Sequence, residues 1–262
     1  MHKIGIINHK GGVGKSTLTG NLGACLKSKN KKVLLIDMDP QASLTIALGF
    51  REPNNIEKNI ADLMIKTMDN EPYDVKDYIL KNEEGIYLIP SGQELTRVEL
   101  RLHQEIGREY ILKEVLDSLN KQDFDFFLID SPPSVSLLTV NILSSIEGAL
   151  IPISPDFLSF KAFSILGDSI SNIKNKTNPD LEVIGLVFNF ADLRTFHARN
   201  LIDFTKKTFG DNTYIFKSII RAHTGIKEAQ INGQSIISYS PDSIGSEDYK
   251  KFVNEFLEVV NG

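Results

Sequence analysis

The chain has 262 residues, a formal net charge of −5, and 41% hydrophobic against 24% charged residues, the composition of a globular protein long enough to bury a sizeable core. No run approaches the roughly 18 consecutive apolar residues of a membrane span, and the acidic balance excludes a protein that is basic throughout and binds nucleic acid by charge alone. The single cysteine, Cys25, excludes an intramolecular disulfide or a thiolate-ligated cluster supplied by one chain. The first strand begins at once, leaving no room for a signal peptide, and the expected compartment is the cytoplasm.

The apolar run Ile4–Ile7 reads as a strand and leads into the octapeptide KGGVGKST at Lys10–Thr17. A helix follows from about Lys15, with Leu18, Leu22, Cys25 and Leu26 on one face. Strand, glycine turn and helix start are the setting of a phosphate-binding loop. Gly11, Gly12 and Gly14, with Val13 between them, let the backbone present successive N–H groups to phosphate oxygens, and the helix start adds the positive end of its dipole. Lys15 is expected on the β- and γ-phosphates and Ser16 on a magnesium ion. The strict pattern G-x-x-x-x-G-K-[ST] would place its first glycine at His9; the chain has instead a second lysine, Lys10, before the paired glycines.

The second strand, Val33–Ile36, runs into Asp37, Met38, Asp39 and Pro40. Pro40 marks the strand's end, so one acid can stay in the scaffold while the other faces phosphate. Asp37 reads equally as a structural cap or a catalytic group. Asp39 is preferred as the carboxylate that orients the attacking water and contacts magnesium indirectly. Asn54–Asn82 is irregular and reads as helices and loops at an edge. A helical pattern at Tyr110, Leu112, Val115, Leu116 and Leu119 precedes the strand Phe126–Ile129, whose tip Asp130 and following Ser-Pro-Pro turn fit a carboxylate holding magnesium through water. Strand Ala149–Ile153, a helix with Phe160, Phe163, Leu166, Ile170 and Ile173 on one face, and strand Val183–Phe188 follow. Asn189 closes that last strand with an amide able to read a base edge.

From Arg194 to Lys227 seven Lys and Arg residues face two acids, a local excess on an acidic protein that suits phosphate-backbone contacts. The last helix, about Glu247 to Val260, sets Tyr249, Phe252, Val253, Phe256, Leu257 and Val260 on one stripe. Its polar face mixes both charges, which favours packing on the core over a membrane surface. Near-continuous apolar strands alternating with amphipathic helices predict one doubly wound, mostly parallel α/β domain over residues 1–262 of the phosphate-loop NTPase type. No preceding helix-turn-helix domain is expected.

Together KGGVGKSTLTGNLGACL, VLLIDMDPQASLTIALG, LIPSG, FDFFLIDSPPSVSLLTVNIL and IIRAHTGIKEAQINGQSIISYSPDSIGSEDYKKF resemble the ParA/Soj partition ATPases, a branch of the ParA/MinD superfamily with its two-lysine, deviant Walker A loop. The resemblance implies that ATP and Mg2+ close two subunits face to face, with Lys10 on the partner subunit's phosphates and Lys15 on its own. It implies that Asp39 positions the hydrolytic water, that Ser16 and Asp130 anchor magnesium, and that Thr17 touches the α-phosphate. The ATP-bound homodimer would bind double-stranded DNA without sequence preference, on the nucleoid, until a ParB-type partner stimulates hydrolysis. Arg194 and Arg221 match basic positions of that DNA surface, and Lys217 and Lys227 lie in the same basic segment. Arg221-Ala222-His223 departs from the Pro-Arg-Asn run of many chromosomal members. A MinD-like membrane regulator would need a basic terminal helix and an iron–sulfur protein more cysteines; a cargo-positioning ATPase could share almost every feature.

Overall fold

A computed structural model describes residues 1–119 and 123–261, without the side chains of residues 157, 158, 160–162 and 164; Phe160 of the expected apolar helix face is therefore outside the described side chains. In chain order the elements are β1 (His2–Ile6), α1 (Lys15–Ser28), β2 (Val33–Asp37), α2 (Ser43–Ala47), α3 (Ile60–Met68), β3 (Leu80–Lys81), β4 (Tyr87–Ile89), α4 (Leu95–Leu102) and α5 (Ile111–Leu119). They continue with β5 (Phe126–Asp130), α6 (Leu137–Ser145), β6 (Gly148–Ile153), α7 (Phe157–Lys176), β7 (Glu182–Ala191), α8 (Phe196–Phe209), β8 (Ile215–Arg221), α9 (Thr224–Ile231), α10 (Ile236–Tyr239) and α11 (Ile244–Asn261).

The strands form one eight-stranded sheet in the order β3-β4-β2-β5-β1-β6-β7-β8. Every neighbouring pair is parallel except β3 with β4. Strands buried on both faces need no polar alternation, which is why VLLID, FFLID and GALIPI read as continuous apolar runs. Side chains still alternate between two cores. Leu34, Ile36, Phe127 and Ile129 pack with the face carrying α3 to α7. Ile4, Ile6, Leu35 and Leu128 pack with the face carrying α1 and α9 to α11.

The order reverses around β1, whose neighbours are β5 and β6. The helix after β1 packs on one face and α6, the helix after β5, on the other. A crevice therefore opens at the carboxyl ends of β1 and β5, the place where open parallel sheets receive ligands. The β2–β5 register sets Asp37 beside Asp130 at that edge.

Helix α11 runs longer than expected and its apolar stripe is core: Tyr249, Phe252 and Phe256 are fully buried, and Phe252 meets Phe216 edge-on with ring centroids 5.0 Å apart. Each such burial contributes about 1.5–3 kcal/mol. Among the described residues no helix is long and apolar enough to cross a membrane. The seventh strand extends further than the sequence suggested, and an eighth that the sequence did not mark, β8, contains polar Lys217 and Ser218 and carries Arg221 at its end.

Cys25 lies 1% exposed on the sheet-facing side of α1, and burial pushes its thiol up to about 12. At pH 8 the native protein should resist a thiol reagent that reacts completely in denaturant. Rapid stoichiometric labelling of folded protein would show that α1 does not pack in this way.

Candidate functional site

The segment between β1 and α1 folds into a tight loop because its backbone groups are claimed by neighbouring strands. Asn8 donates from Nδ2 to the Pro152 carbonyl at 2.8 Å, while its Oδ1 accepts from Lys10 N at 2.9 Å. Gly12 and Gly14 have φ of 79° and 83°, the left-handed region that disfavours side chains. At Gly14 a Cβ would also lie 2.5 Å from both Asn189 Nδ2 and Phe190 Cε2. Asn189 holds the loop from below, donating from Nδ2 to Val13 O at 2.9 Å and Gly14 O at 3.2 Å. Its Oδ1 is buried without a partner among the described residues. Val13 is itself fully buried, so only its backbone can serve the loop's concave side.

That side opens on a cleft of about 390 Å³ lined by Gly11, Gly12, Gly14, Lys15, Ser16, Thr17 and Asp39, among others. Lys15 is 6% exposed, and its Nζ donates to the loop's own Lys10 carbonyl at 3.3 Å, a long bond easily exchanged for a better acceptor. Burial lowers the Lys15 ammonium's pKa, opposed by the charges of Asp130 and Asp39. His9 fills the place of the strict motif's first glycine. Burial and then the charge of Lys15 favour its neutral ring, and neither ring nitrogen has a partner among the described residues.

The three carboxylates divide as their surroundings dictate. Asp37 is scaffold: Oδ2 accepts from Thr45 N at 2.9 Å and Thr45 Oγ1 at 2.7 Å, and Oδ1 accepts from Asp39 N at 3.1 Å. These bonds hold the start of α2. Burial nevertheless pushes Asp37 up to about 6. Asp39 turns into the cleft, with Oδ1 accepting from Gln41 N at 2.9 Å, and burial raises its pKa. Asp130 is fully buried. Desolvation and the adjacent Asp37 drive its pKa well above the usual carboxylate range, against the hydroxyl of Ser16 and the charge of Lys15. Thr19 Oγ1 lies 3.4 Å from Asp130 Oδ1, whereas Oδ2 is buried with no partner among the described residues. A buried carboxylate oxygen of this kind, next to the Ser16 hydroxyl, fits a hard cation or a water bound to one.

Lys10 does not line this cleft. Its Nζ donates to Asp156 Oδ1 at 2.6 Å, Asp156 Oδ2 at 2.7 Å and Ser159 Oγ at 3.1 Å. Asp156 also caps α7 through Ser159 N. Burial of Asp156 is outweighed by its bonds from Lys10, Ser154 and Ser159, which hold its pKa below the usual carboxylate range. The two lysines of the motif thus face different surroundings. Phe190, with φ of 55°, and Gln230 also line the cleft without having been expected there. Gln230 follows Lys227 by three residues, so its helical spacing held the only sequence signal.

The basic residues are dispersed. Lys227 lines the cleft. Arg194 is 90% exposed and paired with its neighbour Asp192, Nε to Oδ1 at 2.8 Å. Lys217 is exposed on β8, its backbone N donating to Glu255. Arg221 supports the fold directly, since its Nε and Nη2 donate to the two oxygens of Asp248 at 2.8 and 2.6 Å and tie β8 to α11. Replacing Arg221 with Glu sets two carboxylates against each other at a site where Asp248 is 6% exposed. That substitution should lower stability by about 1–3 kcal/mol, discounted for the guanidinium's exposure. A denaturant midpoint equal to wild type would remove this pair from the fold's support.

Residues 1–183 match the family model described as an AAA domain. The chain is 36% identical over 253 residues to the sporulation initiation inhibitor protein Soj of Bacillus subtilis, covering 96% of each. It is 30% identical over 259 residues to the chromosome partitioning protein ParA of Caulobacter vibrioides, covering 98% of this chain and 94% of that protein. Its structure superposes on cobyrinic acid a,c-diamide synthase of Mycobacterium smegmatis with bound ADP and magnesium, with a TM-score of 0.85, 27% identity and coverage of 100% and 96%. Near full-length identity to Soj and ParA, joined to a two-lysine phosphate loop at the switch point of a parallel sheet, places the chain in the ParA/Soj family.

Proposed function

We propose that the chain is an ATP- and Mg2+-dependent switch that closes into a homodimer, binds double-stranded DNA without sequence preference on the nucleoid, and partitions DNA with a ParB-type partner. The observation that carries this reading is the separation of the two lysines. Lys15 is buried at the cleft floor, whereas Lys10 is held outside the cleft by Asp156. A cation that serves its own subunit's phosphates belongs where Lys15 is; one available to a second subunit belongs outside. A second ammonium at the interface offsets phosphate charge that would otherwise oppose closure, and it stabilises charge in the transferring phosphoryl group.

In this reading the backbone of Gly11, Gly12, Val13 and Gly14 cradles the phosphates, Thr17 reaches the α-phosphate, and the buried Asn189 Oδ1 accepts from a donor of the base. Ser16, with Asp39 and Asp130 through water, would hold magnesium, which supplies neutralising charge to the phosphates. Asp39 orients water for in-line attack, and its neighbour Asp37 keeps the α2 start in place. Arg194 and Lys217 supply exposed positive charge for DNA. Arg221 contributes through the β8 end that it anchors, and Lys227, exposed where it lines the cleft, stands beside the nucleotide.

Lys15→Ala should weaken ATP binding about 10- to 100-fold, the loss of a charge-assisted hydrogen bond, as read by isothermal titration. Lys10→Ala should keep ATP binding and lose ATP-dependent dimerisation, as read by light scattering. Equal, mild effects from both substitutions would overturn the division of labour.

DNA retention should require ATP and fall steeply between 50 and 200 mM salt, roughly tenfold or more, as counterions are released. Asp39→Ala should retain that ATP-dependent binding and lose hydrolysis. Tight DNA binding by the nucleotide-free protein would sink the switch.

A further inference from the structure

The second residue after Lys15 is held by a helix that begins more than 200 residues later. Gln230, near the end of α9, donates from Nε2 to Thr17 Oγ1 at 2.9 Å, and both side chains border the cleft. Thr17 is 7% exposed. A threonine hydroxyl has one proton and two acceptor positions. With one acceptor position taken by the Gln230 amide, the proton must point elsewhere, and among the described residues no group accepts it. The open direction is the cleft.

Helix α9 is well fixed for this purpose. Its end and the turn beyond it abut the turn after α2: a Cβ on Gly233 would lie 2.7 Å from Gly49 Cα, and Arg51 donates to the Ile231 carbonyl. From α1, Asn21 Oδ1 accepts from Ile236 N at 2.8 Å while its Nδ2 donates to Thr17 O at 2.9 Å. The helix carrying Gln230 thus abuts the turn after α2, and the next helix, α10, to which Ile236 belongs, is tied to α1. A donor on such a support loses little freedom when it engages.

We propose that Gln230 is a positioning residue for nucleotide binding: its amide fixes the Thr17 hydroxyl as a proton donor to a phosphate oxygen of the bound nucleoside di- or triphosphate. This rests on the nucleotide reading above. The proton stays on Thr17 throughout, and the contribution is the orientation of a single hydrogen bond made to a charged group.

The test is a double-mutant cycle read by isothermal titration with ADP. Gln230→Met keeps the side chain's length and removes its donor; Gln230→Ala serves as a second variant of the same sign. Each should weaken ADP binding about 3- to 10-fold, the range of one hydrogen bond, with the unfolding midpoint of the nucleotide-free protein unchanged. In a Thr17→Val background, where there is no hydroxyl to orient, neither should weaken binding further. Wild-type affinity in both Gln230 variants, or the same loss with and without the Thr17 hydroxyl, would overturn the inference while leaving the nucleotide reading intact. Failure of the wild-type chain to bind ADP would overturn both.

Discussion

Three carboxylates meet one buried ammonium at the carboxyl edge of the sheet, and the site is organised around that imbalance. Parallel register brings Asp37 and Asp130 side by side at the tips of β2 and β5. Lys15, the first residue of α1, approaches both Asp130 and Asp39. Taking so much charge out of water is costly unless it is partnered. Thr45 and the Asp39 backbone absorb Asp37, Gln41 absorbs part of Asp39, and among the described residues one oxygen of Asp130 goes unanswered. That unanswered oxygen sets the edge apart from a satisfied core, and the proposed cation site rests on it.

The loop above this edge is shaped less by its own glycines than by what presses against them. Asn189 and Phe190 stand where a Gly14 side chain would be, and Asn189 takes two loop carbonyls. The end of β7 therefore sets the curvature of a loop that follows β1. Lys10 leaves that curve on its outer side, where Asp156 and Ser159 at the start of α7 receive it. Both contacts join segments distant in sequence, so the loop's geometry depends on the completed sheet.

On the opposite face α11 seals the core beneath β8, and the Arg221–Asp248 pair fastens the two. This changes the meaning of the basic segment. Arg194 to Lys227 holds an excess of positive charge as a string of residues, yet one member is spent on the fold, another lines the cleft, and the fully exposed Arg194 is paired with its neighbour. Charge counted along a chain becomes a surface only when the side chains emerge together.

The sequence by itself determined the parallel α/β class and the loop between the first strand and helix, and it marked Lys10, Lys15, Asp39 and Asp130 as candidates. Buried parallel strands must be continuously apolar, and phosphate loops are built from contiguous residues, so both leave local marks. It did not reveal β8, whose polar residues break the run, or β4, which is three residues long. Nor did it decide whether Asp37 caps or catalyses, or place Gln230 on Thr17. Those outcomes depend on which partner each polar group meets across the sheet, and only the packed tertiary structure brings such partners within hydrogen-bond reach.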